Sequence, residues 1–325
     1  MLNKFVVCLL KAIAHLPFWM IYALADIFYF FSFHVFGYRK NVIVENLKNS
    51  FPEKSEAEIR QLTKAYYRHF SDITLESIKM HCMPPQVMKK HVVFANPEVA
   101  NKYHDQGKGI IFLAAHYNNW EWNSWGAYFL KHQFILVYNV QRNNKPMDDF
   151  LRTMRTQYGG IAVDMGHTPR EGLTLNRGER KKALWLAADQ SAPRSAQYWT
   201  RFLNQDSCFF SGPQKIASKS NAPVLYHYIH KVKRGQYISH FFEVEANPKE
   251  TGEHAVLLNY INILEEIIEQ QPAYWLWSHK RWKHQRQAEQ QLIERKPNEE
   301  LRKEVRETIA RYNKIKDLKE LGYNI

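Results

Sequence analysis

His116 and Glu121 are the side chains of this sequence whose types and spacing best suit chemistry. They stand in Gly109-Ile-Ile-Phe-Leu-Ala-Ala-His-Tyr-Asn-Asn-Trp-Glu121, where a short apolar run ends in a histidine and a carboxylate follows five residues on. Five residues carry a regular helix about 140° past a full turn, so the two do not share a helical face. The spacing instead predicts a buried strand over 110–114, His116 at its end, and a helix beginning near Asn118 or Asn119, whose short amide side chains suit a cap. A ring so placed can turn back toward Glu121, which would fix its tautomer and stabilise the imidazolium formed on proton uptake. The segment holds no serine or cysteine nucleophile, so the chemistry implied is base-assisted attack by a substrate hydroxyl. A satisfied polar group at a strand end would show the same spacing, and the neighbouring segments weigh toward chemistry.

The elements that must position this pair are legible from periodicity. Ser55-Glu-Ala-Glu58 forms a capping box opening a helix with Ile59, Leu62, Tyr66, Phe70 and Ile73 on one apolar stripe. Strands are predicted at Val92 to Phe94, Ile110 to Ala114, Phe134 to Tyr138, Ala183 to Ala187, Val224 to Ile229 and Tyr237 to Val244, with helices between several of them. Such alternation predicts an α/β fold whose mixed central sheet is covered by helices, with the site where strands end and helices begin. Asp189 and Gln190 end a second apolar strand, Ala183-Leu-Trp-Leu-Ala-Ala188, and would share a cleft with His116 if the two strands were neighbours. Asp189 could there hold an arginine or a substrate hydroxyl, or serve only as a turn residue.

The N-terminus is apolar from Phe5 to Phe36, interrupted by Lys11, His15, Asp26 and His34 and divided at Pro17. As a helix, the part from Phe18 to Phe36 would reach about 28 Å, close to the roughly 30 Å of a bilayer's hydrocarbon core. Asp26 near its middle would cost about 2.5 to 3.5 kcal/mol in a simple span. An interfacial helix, or one packed on the adjoining domain with one face in lipid, is the alternative. Arg39, Lys40 and Lys48 just downstream favour a cytoplasmic position for the domain after them. The sequence thus divides into an anchor over 1–40, an α/β domain over 41–285 and a charged helical extension over 286–325, the last with Leu301, Val305, Ile309, Ile315 and Leu318 as a sparse apolar face.

Lys and Arg total 45 against 32 Asp and Glu, a net charge of +13, which favours an anionic partner. Neither zinc-finger spacing nor a Walker-type glycine loop is present and the aromatic residues form no base-stacking signature, so nucleic acid is not expected. Cys8, Cys82 and Cys208 are widely separated and match no metal or disulfide pattern, as in a protein facing a reducing compartment.

With these residues in view, the chain resembles the late acyltransferases of lipid A biosynthesis, within the wider lysophospholipid acyltransferase superfamily, whose signature is His-x4-Asp or His-x4-Glu. Four blocks carry the resemblance as far as Lys283. The first is Gly37-Tyr-Arg-Lys40 with Glu45-Asn-Leu47 and Ser50-Phe-Pro-Glu53, and the second is the His116 block. The third is Ala188-Asp-Gln190 with Pro193-Arg-Ser195, Phe202, Ser211-Gly212 and Ala222-Pro-Val224, and the fourth is Tyr274-Trp-Leu-Trp-Ser-His-Lys-Arg-Trp-Lys283. The resemblance implies a glycerol-phosphate acyltransferase-like fold and catalysis by His116 and Glu121 without metal or cofactor. It further implies substrate contacts from Asn119, Asp189 and Gln190.

The relatives carry an arginine soon after the tyrosine that ends Leu136-Val-Tyr138, where this chain continues Asn139-Val-Gln-Arg142; Arg142, after a loop shift, or Arg194 would then clamp a phosphate. Oxyanion donors are expected among backbone amides near Asn118. In Tyr274 to Lys283, tryptophans beside cations suit a lipid interface, a helix with a tryptophan core, or both. The activity implied is O-acyl transfer from acyl carrier protein or acyl-CoA to a hydroxyl of a lipid A precursor at the inner membrane, with the domain on the cytoplasmic side. Another lipid acceptor, or an inert membrane-surface binding protein of this fold, would share these features.

Overall fold

The computed structural model describes residues 2–322. Two apolar helices come first, α1 (Leu2–His15) and α2 (Phe18–Phe30), broken at Pro17, and α2 runs on into a π-turn over Phe31–Val35. They are followed by α3 (Lys40–Ser50) and the long α4 (Glu56–Met80), whose start carries both reciprocal bonds of the Ser55–Glu58 capping box. Ile59, Tyr66 and Ile73 of its predicted stripe are buried, and Leu62 and Phe70 pack partly against the same core.

From there strand and helix alternate: α5 (Pro85–Met88), β1 (Val92–Phe94), α6 (Glu98–Asp105), β2 (Ile110–Ala114), α7 (Gly126–Phe129), β3 (Gln133–Tyr138), α8 (Lys145–Thr156), β4 (Ile161–Asp164), α9 (Thr168–Gly172) and β5 (Lys182–Ala187). After a hairpin of β6 (Tyr198–Phe202) and β7 (Gln205–Phe209) come α10 (Gly212–Ser220), β8 (Val224–Lys233), β9 (Gln236–Glu245), α11 (Ala255–Gln270) and α12 (Glu299–Tyr312). Seven strands make one sheet in the order β1-β9-β8-β2-β5-β3-β4. Its pairings are parallel except for the antiparallel β8–β9 hairpin, so the sheet is mixed, as the alternation predicts. β2 lies in its middle with all five residues buried, because a parallel strand covered by helices on both faces needs apolar side chains throughout.

Three strands are absent from the sequence expectation. Ile161–Asp164 is a four-residue strand at the sheet's edge, too short to show a period. The β6–β7 hairpin turns through Leu203 and Asn204, both at positive φ. A leucine there hides the turn, since such positions favour glycine, asparagine or aspartate.

The charged extension packs against the domain. Leu301, Val305 and Ile309 of α12 are buried, and arginines beside them answer the glutamates of α11: Arg302 meets Glu266 at 3.0 Å and Glu269 at 2.6 Å, and Arg306 meets Glu266 at 2.8 Å. At the other end α2 lies along α4 through Ile21, Ala25 and Tyr29 while Trp19, Ile27, Phe30, Phe31, Val35 and Phe36 stay exposed. Asp26, the charge that interrupts the apolar run, is bound by Arg234 of the β8–β9 turn at 2.7 Å. Its carboxylate therefore has an ion partner on the domain and is not an isolated charge.

Candidate active site

Strand register builds the site. β2 and β5 pair in parallel with Ala114 opposite Ala187. His116 and Asp189 lie two residues beyond that pair, so they leave the sheet side by side although 73 positions separate them in the chain. The His116 ring donates from Nδ1 to Asp189 Oδ1 at 2.8 Å, and the His116 backbone N–H donates to Asp189 Oδ2 at 3.0 Å. A third donor, the buried indole of Trp275, reaches the same Oδ2 at 2.8 Å. With Nδ1–H committed to the carboxylate, Nε2 carries the lone pair of a neutral imidazole, and the Gln190 amide lies against it at 3.1 Å.

The backbone on either side is held as firmly. Asn118 has a positive φ of 54°, its N–H donates to the Tyr274 carbonyl at 2.8 Å, and the Leu276 N–H donates to the His116 carbonyl at 3.1 Å. Residues 274–276 thus clamp the loop that carries His116. The 189–191 turn is steadied from behind by the Ser191 N–H, which donates to His279 Nε2 at 3.2 Å; burial pushes the His279 pKa down to about 4, which keeps that nitrogen an acceptor.

Glu121 does not orient His116. It sits in a 3-10 helix over Trp120–Trp125, and its carboxylate takes Arg155 Nε at 2.8 Å and Nη2 at 2.5 Å, a two-point pair with the last turn of α8. The matched planar geometry of guanidinium and carboxylate outcompetes a single imidazole contact. Asp189, expected as a substrate or arginine contact, is the ring's partner instead, because the β2–β5 register brings it there.

The remaining expectations separate cleanly. Gln190 is at the site. Asn119 is buried, does not cap a helix, and donates to Glu76 Oε2 at 2.7 Å, away from the ring. Arg142 pairs with Asp164 at 3.1 Å on a loop that leaves its side chain 79% exposed, and Arg194 is exposed in the turn after Pro193. Neither approaches Asp189 by any contact. The arginine of the cleft is Arg155, which the last turn of α8 brings there instead of the loop after β3; the amphipathic pattern of α8 is its one signal in the sequence. Of the backbone amides near Asn118 expected as oxyanion donors, that of Asn118 itself is taken by the Tyr274 carbonyl. Trp275 and Trp277 are core residues and Trp282 is partly buried, its indole donating to Ser207 Oγ at 2.7 Å, so the rings of this segment face the protein while Lys280 and Lys283 face solvent.

His116, Gln190, Glu121 and Arg155 stand at the polar end of a cleft of about 580 Å³, whose walls include Leu136, Val137, Leu151, Trp185, Phe210 and Ile216. That volume falls within the roughly 300–1,000 Å³ usual for small-molecule sites, and the apolar wall suits a hydrocarbon chain. Electrostatics poise the polar end. Burial alone would lower the His116 pKa, but the Asp189 charge and hydrogen bond outweigh it and hold the ring above its ordinary value, with Glu121 adding and Arg155 opposing. Burial would raise both carboxylates; His116 and Trp275 hold Asp189 below the usual range, and Arg155 does the same for Glu121.

Comparison with known proteins identifies the family of the chain. The family model described as bacterial lipid A biosynthesis acyltransferase matches residues 1–284. Two relatives from Escherichia coli (strain K12), a lipid A biosynthesis palmitoleoyltransferase and a lipid A biosynthesis lauroyltransferase, are each 21% identical over 252 residues, covering 75% of this chain and 79% of the relative. Among solved structures, the 1-acyl-sn-glycerophosphate (LPA) acyltransferase PlsC from Thermotoga maritima matches 78% of this chain and 97% of its own, at 15% identity and a TM-score of 0.37. The match over residues 1–284 takes in the two apolar N-terminal helices, the sheet and both strand ends that form the cleft, and the chain belongs to the bacterial lipid A biosynthesis acyltransferase family.

Proposed function

We propose that this lipid acyltransferase moves a fatty acyl chain from the thioester of acyl carrier protein or acyl-CoA to a hydroxyl on an acyl chain of a lipid A precursor. The observation that carries the mechanism is the His116 ring, fixed by Asp189 at 2.8 Å with its Nε2 at the polar end of an apolar cleft. Nε2 takes the proton of the acceptor hydroxyl as that oxygen attacks the thioester carbon, and the Asp189 carboxylate steadies the imidazolium. The new C–O bond gives a tetrahedral oxyanion, whose collapse breaks the C–S bond; the imidazolium returns its proton to the departing thiolate. In this reading Gln190 yields Nε2 to the incoming hydroxyl and its amide donates to the oxyanion.

The relatives' names support lipid A as acceptor, and the chain's charge of +13 suits a phosphorylated lipid and an acidic carrier. The exposed apolar side chains of α1 and α2 support seating at the inner membrane, with the catalytic domain on the cytoplasmic side. In membranes containing the full chain, thioester consumption should be matched by a lipid product one acyl chain heavier in mass spectrometry. Deleting the gene should remove that species from the lipid A pool. A change confined to glycerophospholipids or aminolipids would overturn the acceptor, and a folded protein that consumes no thioester with any of these lipids would overturn acyl transfer.

A further inference from the structure

We propose that Glu76 is a positioning residue for acyl transfer and that, through it, helix α2 holds the loop bearing His116 in place instead of merely tethering the domain. Asp72, Glu76 and Lys79 fall on successive turns of one face of α4, and all three are buried. Glu76 is fully enclosed, and each of its oxygens accepts two bonds. Oε1 takes the Tyr22 hydroxyl of α2 at 3.0 Å and the Gly235 N–H at 3.0 Å; Oε2 takes the Asn119 amide at 2.7 Å and the Tyr237 hydroxyl at 2.5 Å. The indole of Trp122 also donates to the Glu76 backbone carbonyl at 3.2 Å. One residue therefore joins the anchor helix, the β8–β9 turn and both sides of Glu121.

Burial pushes the Glu76 carboxyl pKa up, the hydrogen bonds from the Tyr237 and Tyr22 hydroxyls oppose that shift, and burying such a group is tolerated only when its oxygens are filled in this way. The turn is shaped to allow it. Gly235 has a φ of +71°, and a Cβ there would lie 2.3 Å from the Tyr22 hydroxyl. The flanking charges bind the same two helices: Arg234 bridges Asp72 at 2.6 Å and Asp26 at 2.7 Å, and Lys79 donates to the Ala14 carbonyl at the end of α1 at 3.0 Å. The loop needs outside support, because Asn118 is left-handed and Asn119 does not cap the adjoining 3-10 helix; its amide is used on Glu76.

The test uses the full-length chain in phospholipid vesicles. Its rate readout rests on the acyl-transfer reading, and failure of the unsubstituted protein to transfer would overturn that reading, not this one. Glu76→Gln sets an amide against two pairs of donors and should lower kcat by about tenfold to a hundredfold with KM little changed, as misplacement of a catalytic loop does. Tyr22→Phe deletes one hydroxyl and should lower kcat less, with the vesicle-bound fraction unchanged and faster amide exchange across residues 116–125. Because both act through one carboxylate, the double variant should be no slower than Glu76→Gln alone. Wild-type kcat and exchange in Tyr22→Phe would overturn the proposal, even if Glu76→Gln does not fold. So would losses that multiply independently, or a loss that tracks only membrane binding.

Discussion

Asp189 is a buried carboxylate and Glu121 a partly buried one, each engaged by a nitrogen base at the same cleft, and the two pairs differ in what can happen to their charge. The partner of Glu121 is an arginine, which keeps its proton at every pH of interest, so that pair is a fixed ionic strut between the 3-10 helix and α8. The partner of Asp189 is an imidazole, which gains and loses a proton during the proposed cycle. A carboxylate beside a permanent cation builds structure, whereas one beside a titratable ring sets a tautomer and a proton affinity. The family signature places a carboxylate five residues after the histidine, yet the distances assign the tuning to the residue 73 positions away.

Removing the ring should have the largest effect on turnover. His116→Ala should reduce acyl transfer by about 10²- to 10⁴-fold with the fold intact. Asp189→Asn should approach the lower end of that range. A single amide oxygen cannot accept from the ring on one side and from the His116 N–H and Trp275 on the other. A folded His116→Ala protein with near-normal transfer would falsify the base assignment.

The other pair should break in the opposite sense. Glu121→Ala leaves the Arg155 guanidinium, 20% exposed, without its counter-ion and should cost about 3–5 kcal/mol of stability, seen as a lower denaturation midpoint, together with lost activity. Replacing both residues by apolar side chains should recover much of that stability but not the activity. If Glu121→Ala melts like the parent while losing turnover as His116→Ala does, the strut reading is wrong.

The pH dependences sharpen the contrast. The folded His116 pKa is raised above its ordinary value of about 6.5, so its stabilising contribution is complete below that value and fades as pH rises through the folded pKa. Turnover has the reverse sign, because the base must be neutral: the acid limb of kcat/KM should lie above the ordinary histidine value, and Asp189→Asn should move it downward. The Glu121 pKa is lowered, so its contribution is present above about 4.3 and is lost as pH falls through the folded value, with no loss on the alkaline side before arginine itself titrates. An acid limb unmoved by Asp189→Asn would separate Asp189 from the base.

Much of this was legible in the residues. The Ser55–Glu58 box, six of the strands and His116 at a strand end all follow from periods and caps that act over a few positions. The choice between Glu121 and Asp189 as ring partner does not, because it depends on which strand lies beside β2 and in which register, and both Ala183–Ala187 and Phe134–Tyr138 read locally as buried strands. Asn119 resembles a cap in sequence but is drawn to Glu76, 43 positions earlier, by a carboxylate with four donors. Trp275 and Trp277 have the composition of a membrane interface, and it takes their burial and their indole bonds to Asp189 and the Pro272 carbonyl to show that they face inward.

The smallest effects should come from the two arginines that sequence position alone favoured as clamps. Arg142 is 79% exposed and holds only Asp164, whose own bond to the Gly166 N–H persists without it, so Arg142→Ala should change stability by no more than about 0.5 kcal/mol. Arg194, exposed in its turn, should behave alike. Turnover in both should stay near the parental rate, and cycles pairing either with Asp189→Asn should be additive, since neither shares a contact with Asp189. Arg155→Lys is the contrasting arm: lysine keeps the charge but cannot make the two-point pair with Glu121, so activity and melting temperature should both fall. Coupling of Arg142 or Arg194 to Asp189, with Arg155→Lys behaving as the parent, would put one of those two arginines at the site in place of Arg155.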